Sequence, residues 1–334
     1  MRASANLLGN DIARIPLPIP FKGLEWINAY AIKSADGITL IDCGIGTTEG
    51  HEALTNGFKD IGWDISSVHT LVVSHLHPDH VGLAPRIIEE LGCNFVMHDQ
   101  AKRAIELYND VDAWGRTFAD LSRSNGAPKD FVDFFLHDEQ TPDWFNIIDQ
   151  PTQFVSDGDS IRIDDDRSID VLYTPGHEIA HICLKDSATG ILFSGDHILP
   201  RITPFVGYLS EDHDPNPLKK FVDSLARIRD DGFGLTYPAH GDIVERGSAR
   251  ADQIFLHHER RLNETLDEIT TPRSGWTVMG ELFPRNLDIF SKRLALRETV
   301  SHLEYLRLDN LATREMSTDE WLYRRVMAQS RVRL

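Results

Sequence analysis

The chain is predicted to be an α/β protein with sheets covered by helices, and three observations in its sequence predict it. Short β-rich apolar runs recur between Ile27 and Asp242, each ending abruptly in a small or polar turn that carries His or Asp. Some of these runs, such as LVV at 71–73 and ILF at 191–193, are apolar at every position, as expected for strands buried on both faces. Stretches with apolar residues every three or four positions fall between them and read as helices.

The runs are ITLIDCG (38–44), TLVVSHLHPDH (70–80), IDVLYTPGH (169–177), GILFSGDH (190–197) and LTYPAHGD (235–242). Strands that end on the same side would gather their polar turns at one rim. Residues 81–92 read as a helix stopped by Gly92. Residues 215–231 place Leu218, Phe221, Val222, Leu225 and Ile228 on one helical face. Between about 100 and 150 lies a helical, aromatic insert containing Tyr108, Trp114, Phe118, Phe131, Phe134, Phe135, Trp144 and Phe145. Two readings stay open: a cover that gives the rim an apolar substrate wall, or a helical pair packing its own core. Beyond residue 245 the pattern changes to helices at 246–269, 277–283 and 287–311, followed by a small hairpin. That order predicts a winged-helix-like module. The expected organisation is therefore a catalytic domain at 1–245 and a module at 246–334.

Composition narrows the function. The 334 residues are 41% hydrophobic and 26% charged, ordinary for a globular protein. No apolar run approaches the roughly 20 residues that span a bilayer, so no membrane partner is expected. The start of the chain lacks a secretory signal pattern. Three scattered cysteines, Cys43, Cys93 and Cys183, suit a reducing cytosol and buried thiols. A cytoplasmic protein is expected. The formal charge is −18. Residues 1–245 hold 19 Lys and Arg against 39 Asp and Glu, a balance of −20, whereas the tail stands at +2. So acidic a catalytic half repels polyanions, which counts against nucleic acid as the main partner.

The chemistry concentrates in His75-Leu76-His77-Pro78-Asp79-His80-Val81-Gly82. Four potential metal ligands stand within six residues, after a buried strand and before a helix. His75 and His77, two apart in an extended turn, can point at one ion. Asp79 and His80, at the helix entry, can face a second ion beside it. Imidazole and carboxylate suit Zn²⁺, with Fe or Mn as alternatives.

This cluster resembles the HxHxDH signature of the metallo-β-lactamase superfamily. Asp42 in LIDCG, His177 in TPGH, Asp196 in SGDH and His240 in PAHGD follow the family's order, and the likeness covers roughly residues 15–245. The resemblance implies an αββα sandwich and two divalent metal ions. His75, His77 and His177 would hold the first, Asp79, His80 and His240 the second, and Asp196 would bridge them. Asp42 would support the site without ligating. The whole chain is similar to the branch with a winged-helix-like tail, of the β-lactamase-like 2 type. The His at the second signature position, where oxygen-reducing relatives have Glu, implies a hydrolase. Two cations about 3.5–4 Å apart would make hydroxide available near neutral pH to attack a carbonyl or phosphorus centre. Asp79 would orient it or take its proton.

Residues beyond the signature are read more plainly. His181 is expected to support the site. His197 is a candidate acid or oxyanion donor facing substrate. Arg201 is read as a surface ion pair ahead of a substrate anchor, and His257 and His258 as solvated. Lys292, Arg293 and Arg297 could belong to a recognition helix, but Leu294, Leu296, Val300 and Leu303 around them read as core, so a packing or dimerisation module is preferred. The favoured function is hydrolysis of a small acyl substrate: an ester, thioester or lactone. The alternatives are a metal-dependent endoribonuclease or phosphodiesterase, and a catalytically silent regulator that binds nucleic acid.

Overall fold

The computed structural model describes residues 4–21, 24–138, 142, 143, 145–327 and 331–334. Trp144 of the aromatic insert lies outside these residues. The chain forms two compact units, and neither is continuous in sequence. The first comprises residues 1–109, 141–204 and 228–250; the second comprises 110–140, 205–227 and 251–334.

Two sheets build the first unit. One has seven strands in sequence order: β1 (Asn6–Gly9), β2 (Ile12–Phe21), β3 (Leu24–Ser34), β4 (Gly37–Ile41), β5 (Val68–Val72), β6 (Asn94–His98) and β7 (Gln153–Val155). β1 to β4 pair antiparallel, and β4 to β7 pair parallel. The other sheet runs in the order β12-β11-β10-β9-β8, from β8 (Ser160–Arg162), β9 (Ser168–Tyr173), β10 (Ile182–Asp186), β11 (Leu192–Gly195) and β12 (Thr236–Pro238). The sheets meet through Ile12, Tyr30, Val72 and Val96 of one against Val171, Ile182, Phe193 and Tyr237 of the other, all buried. The opposite face of the seven-stranded sheet is covered by α1 (Thr48–Asp60), α3 (Ala84–Leu91) and α4 (Ala101–Asn109), through Leu54, Phe58, Ile87 and Ile105. Strands apolar on both sides are thus buried on both sides. Thr47 caps α1 by accepting from Gly50 N, and Gly92 ends α3 in the left-handed region at φ +63°.

The five motif-bearing runs all become strands: β4, β5, β9, β11 and β12. A four-residue helix, α2 (Pro78–Val81), opens directly after His77.

The second unit gathers α5 (Val111–Ser124) and α6 (Lys129–Asp133), a wider helical turn at Phe134–Asp138, and most of α7 (Pro217–Asp230) and α8 (Gly247–Glu268). The rest of its tail is β13 (Arg273–Ser274), α9 (Gly275–Leu282), α10 (Ile289–Leu308), β14 (Ala312–Ser317) and β15 (Glu320–Arg325), the strands ordered β13-β15-β14. The expected helices and hairpin are present, but the boundary at 245 does not coincide with the compact units. Residues 110–140 belong with the tail. Phe131 meets Trp276 at 4.7 Å between ring centres, and Phe134 meets Phe290 at 5.8 Å. Trp276 N donates to Asn125 O at 2.9 Å. The insert therefore packs a core, but one shared with Trp276 and Phe290 of the tail and not its own. Of the described aromatic residues read as a substrate wall, only Tyr108 and Phe145 lie in the first unit, stacked 5.1 Å apart.

Candidate metal centre

All seven expected ligands converge at the ends of the motif-bearing strands. They fall into two groups of donors, His75, His77, His177 and Asp196 in one and Asp79, His80 and His240 in the other. In the first, His177 Nε2 lies 3.2 Å from His75 Nε2 and 2.9 Å from His77 Nδ1, and 3.4 Å from Asp196 Oδ2. In the second, Asp79 Oδ2 is 3.2 Å from His240 Nε2 and 3.8 Å from His80 Nε2. Asp196 faces both: its other oxygen, Oδ1, is 3.6 Å from His80 Nε2 and 3.4 Å from His240 Nε2.

These separations suit cations. Donors held tetrahedrally about 2.0–2.1 Å from Zn²⁺ stand roughly 3.3 Å from one another. His80 Nε2, His240 Nε2 and Asp196 Oδ1 are buried and have no hydrogen-bond partner among the described residues. Buried polar atoms left this way are costly unless something else satisfies them. Divalent metal ions fit the donor set, the spacing and the orphaned atoms together.

Several of these rings are fixed from behind. Asp42 Oδ2 lies 2.8 Å from His80 Nδ1, while its Oδ1 accepts from Ser74 N at 2.7 Å and its Oδ2 from Ser74 Oγ at 2.9 Å. His240 Nδ1 donates to Trp26 O at 3.0 Å. The turn carrying His240 is gripped from β3: Asn28 Nδ2 donates to Pro238 O and Gly241 O, and Tyr30 OH donates to Pro238 O. His181 Nε2 accepts from the Asp196 backbone N–H at 3.1 Å, and its Nδ1 lies 2.8 Å from Thr174 Oγ1. Such outer partners set ring orientation and tautomer, and so which nitrogen faces a metal.

Electrostatics divides the rings in two. Burial, reinforced by neighbouring rings, holds His75 well below the ordinary imidazole range. Burial and His177 push His77 down to about 3. Burial also holds His181 well below that range. These are neutral rings with lone pairs to offer. Burial acts in the same direction on His80, but the carboxylates of Asp42, Asp196 and Asp79 overcome it and carry that ring well above its usual value. His240 follows for the same reason, through Asp196 and Asp79. Burial alone would raise Asp196 and Asp79, yet the surrounding imidazoles hold both below the usual carboxylate range. Carboxylates this buried demand positive charge beside them, which metal ions supply as well as protons.

The supporting place expected for His181 agrees with these bonds. His197 is placed differently from its expectation. Its side chain is 0% exposed and its ring centre lies 6.0 Å from that of His181, so it is built into the interior instead of facing an open cleft. Arg201 is exposed, 3.6 Å from Asp242. His258 is not solvated but buried at 1% exposure beside His302. The grip of Asn28 and Tyr30 was not foreseen, because single polar residues in an apolar strand carry no motif. Among the described residues none of the three cysteines forms a disulfide, and all three are buried as expected. Burial raises the Cys43 and Cys93 thiols, which does not suit them as nucleophiles.

Comparison with known proteins agrees with this geometry. The Metallo-beta-lactamase superfamily matches residues 26–240, and the family described as Metallo-beta-lactamase-like, C-terminal domain matches residues 262–326. A probable metallo-hydrolase, YqjP, of Bacillus subtilis is 26% identical over 91% of this chain and 94% of its own length. An atrochrysone carboxyl ACP thioesterase of Aspergillus fumigatus is 24% identical over 73% of the chain, which spans 59% of that longer protein. Among solved structures, metallo-beta-lactamase family protein TTHA1429 of Thermus thermophilus superposes with a TM-score of 0.81 at 28% identity, over 96% of this chain and 100% of its own. The chain is thus a member of the metallo-β-lactamase superfamily, with that superfamily's sandwich fold and the additional C-terminal domain of one of its branches.

Proposed function

We propose that this metallo-hydrolase holds two divalent ions, Zn²⁺ first among them, and cleaves the carbonyl bond of an ester, thioester or lactone. The observation that carries the reading is Asp196, which offers one oxygen to each donor group while both groups remain within reach of it. When bound, such a pair of cations supplies Lewis acidity and makes water a competent nucleophile near neutral pH. The chain's own part is positioning and proton handling. His75 and His77 present neutral rings, His177 stands within reach of both, and His181 anchors Asp196 through its backbone. Asp79, kept ionised between His80 and His240, is the carboxylate placed to accept a proton from attacking water.

Two observations favour an acyl substrate over RNA. Residues 1–245 carry a formal balance of −20, which opposes a polyanion. One relative is itself named a thioesterase. The test is metal analysis of the purified chain, followed on the same sample by aryl esters, acyl thioesters, lactones and single-stranded RNA. About two metals per chain with turnover of acyl substrates supports the reading. RNA cleavage alone, falling steeply with salt, would replace it with the nuclease alternative.

A further inference from the structure

The second unit holds a cationic feature that hydrolysis does not use. On α10, residues 290, 293, 294 and 297 follow helical spacing along one face. Phe290 is 48% exposed and Leu294 42%, so this face is open to solvent while the rest of the helix carries buried Leu296, Val300 and Leu303. The Arg293 guanidinium lies 5.3 Å from the ring centre of Trp114 and 5.5 Å from that of Phe290. The Arg297 guanidinium lies 5.7 Å from the same Trp114 ring and 5.2 Å from Phe205. Two cations thus share one indole.

Arg297 is the informative member. Its Nε donates to Tyr208 O at 3.2 Å, and Tyr208 N returns a bond to Arg297 O at 3.1 Å. This clamp fixes the side chain through its inner nitrogen and leaves the terminal fork uncommitted. Among the described residues no carboxylate pairs with Arg297, and the one charge felt by its guanidinium is that of Arg293. Burial, with Arg293 adding to it, pulls Arg297 down to about 9. Arg297 is half-buried, and an arginine drawn this far out of water is more often found with a counter-ion. The aromatic rings offset part of the cost, but a ring face cannot satisfy the fork's N–H groups.

We propose that Arg297, with Arg293, Trp114, Phe205 and Phe290, forms a binding site for a small molecule carrying an oxyanion, phosphate or carboxylate, on an apolar or aromatic body. The planar fork matches two oxygens of such a group, and the rings offer the attached body a stacking surface. Nucleic acid fits less well. Two arginines set among exposed Phe290 and Leu294 do not make the extended basic track a phosphodiester backbone requires.

The experiment titrates the full-length, metal-loaded chain with phenyl phosphate, benzoate and inorganic phosphate, following tryptophan fluorescence and the melting temperature. Saturable binding of phenyl phosphate or benzoate is expected, with a fluorescence response that Trp114→Phe removes. Arg297→Gln should weaken binding about tenfold or more, the loss of a charge-assisted pair. Arg297→Lys, which keeps the charge but not the fork, should weaken it several-fold and serves if the glutamine variant does not fold. The two organic probes separate a phosphate-bearing from a carboxylate-bearing ligand. Equal affinity in wild type and both Arg297 variants would mean that the anion sits elsewhere, at the metal centre for example, and would overturn the proposal. So would the absence of saturable binding by either organic probe, or inorganic phosphate binding as tightly as both.

Discussion

Asp42 occupies the left-handed region at φ +57°, a conformation that costs a side-chain-bearing residue on the order of 1 kcal/mol or more. The strain turns its carboxylate back onto Ser74 and His80, where it makes the hydrogen bonds that fix the His80 ring. Asp42→Asn would set an amide donor against the imidazole. Metal affinity at the second position should fall by about 10–100-fold, measured by competition with a chromogenic chelator, with little change in the circular dichroism spectrum. Removing a ligand should do more: Asp79→Ala or His240→Ala should abolish turnover and reduce bound metal from about two per chain to about one. Full activity in either variant would rule out a two-metal mechanism. Gly195 has a related role without a functional group. At φ +49°, a Cβ there would stand 2.7 Å from His181 Nε2, so Gly195→Ala should destabilise the fold by about 1–3 kcal/mol in urea melts. His75, His77, Asp79 and His80 were legible as one dense cluster after a buried strand, whereas His177, Asp196 and His240 followed from the family resemblance, and the fold brings all seven together. The same logic does not reach His197, whose side chain is buried at 0% exposure, since adjacency to Asp196 says nothing of which way the next side chain turns.

At the scale of elements, spacing located helices well and their partners poorly. The 3–4 residue period placed α3, α7, α8 and α10 within a few residues of their observed limits. Period alone does not say what an apolar face will cover, and Phe131 covers Trp276, 145 positions later. His258 shows where a finer signal lay. Ala251, Ile254, Phe255, Leu262 and Leu266 mark the buried stripe of α8, and His258 falls within it, although its immediate neighbours His257 and Glu259 are polar. Counting along the stripe finds the buried ring where reading the local sequence does not. His258 is held well below the ordinary imidazole range by burial and by His302, and burial brings His302 down to about 4. Both rings therefore bind protons more weakly folded than unfolded. The contribution of His302 is intact above about pH 6.5 and is lost as pH falls towards 4, and that of His258 is lost in the same direction. Nearby Glu298, raised by burial to about 7, acts in the opposite sense, losing its contribution as pH rises through that value. His302→Gln should flatten the fall in melting temperature between pH 7 and pH 5. An unchanged slope would place the acid sensitivity elsewhere.

For the whole molecule, the second unit is assembled from residues 110–140, 205–227 and 251–334, so its third stretch cannot be removed without exposing the first. Phe118, Phe131 and Phe135, buried in the full chain, would lose Trp276 and α10 in a chain ending at residue 245. Such a truncation should bind a hydrophobic dye strongly and aggregate. A soluble, monomeric product that still holds two metals would show that the first unit tolerates an unpaired insert. Phe131→Ala in the full chain tests the same core gently, at an expected cost of about 3–5 kcal/mol.

The same interleaving sets an order of events during synthesis. Phe131 leaves the ribosome 145 residues ahead of Trp276. At about 5–20 residues per second it waits roughly 7–30 s for its partner. The strands of the first unit can begin to pair in that interval, while the aromatic helices stand exposed and available to the wrong neighbour. A newborn chain is therefore vulnerable over residues 110–140, and a chaperone that shelters them until α10 emerges would raise the yield of native protein.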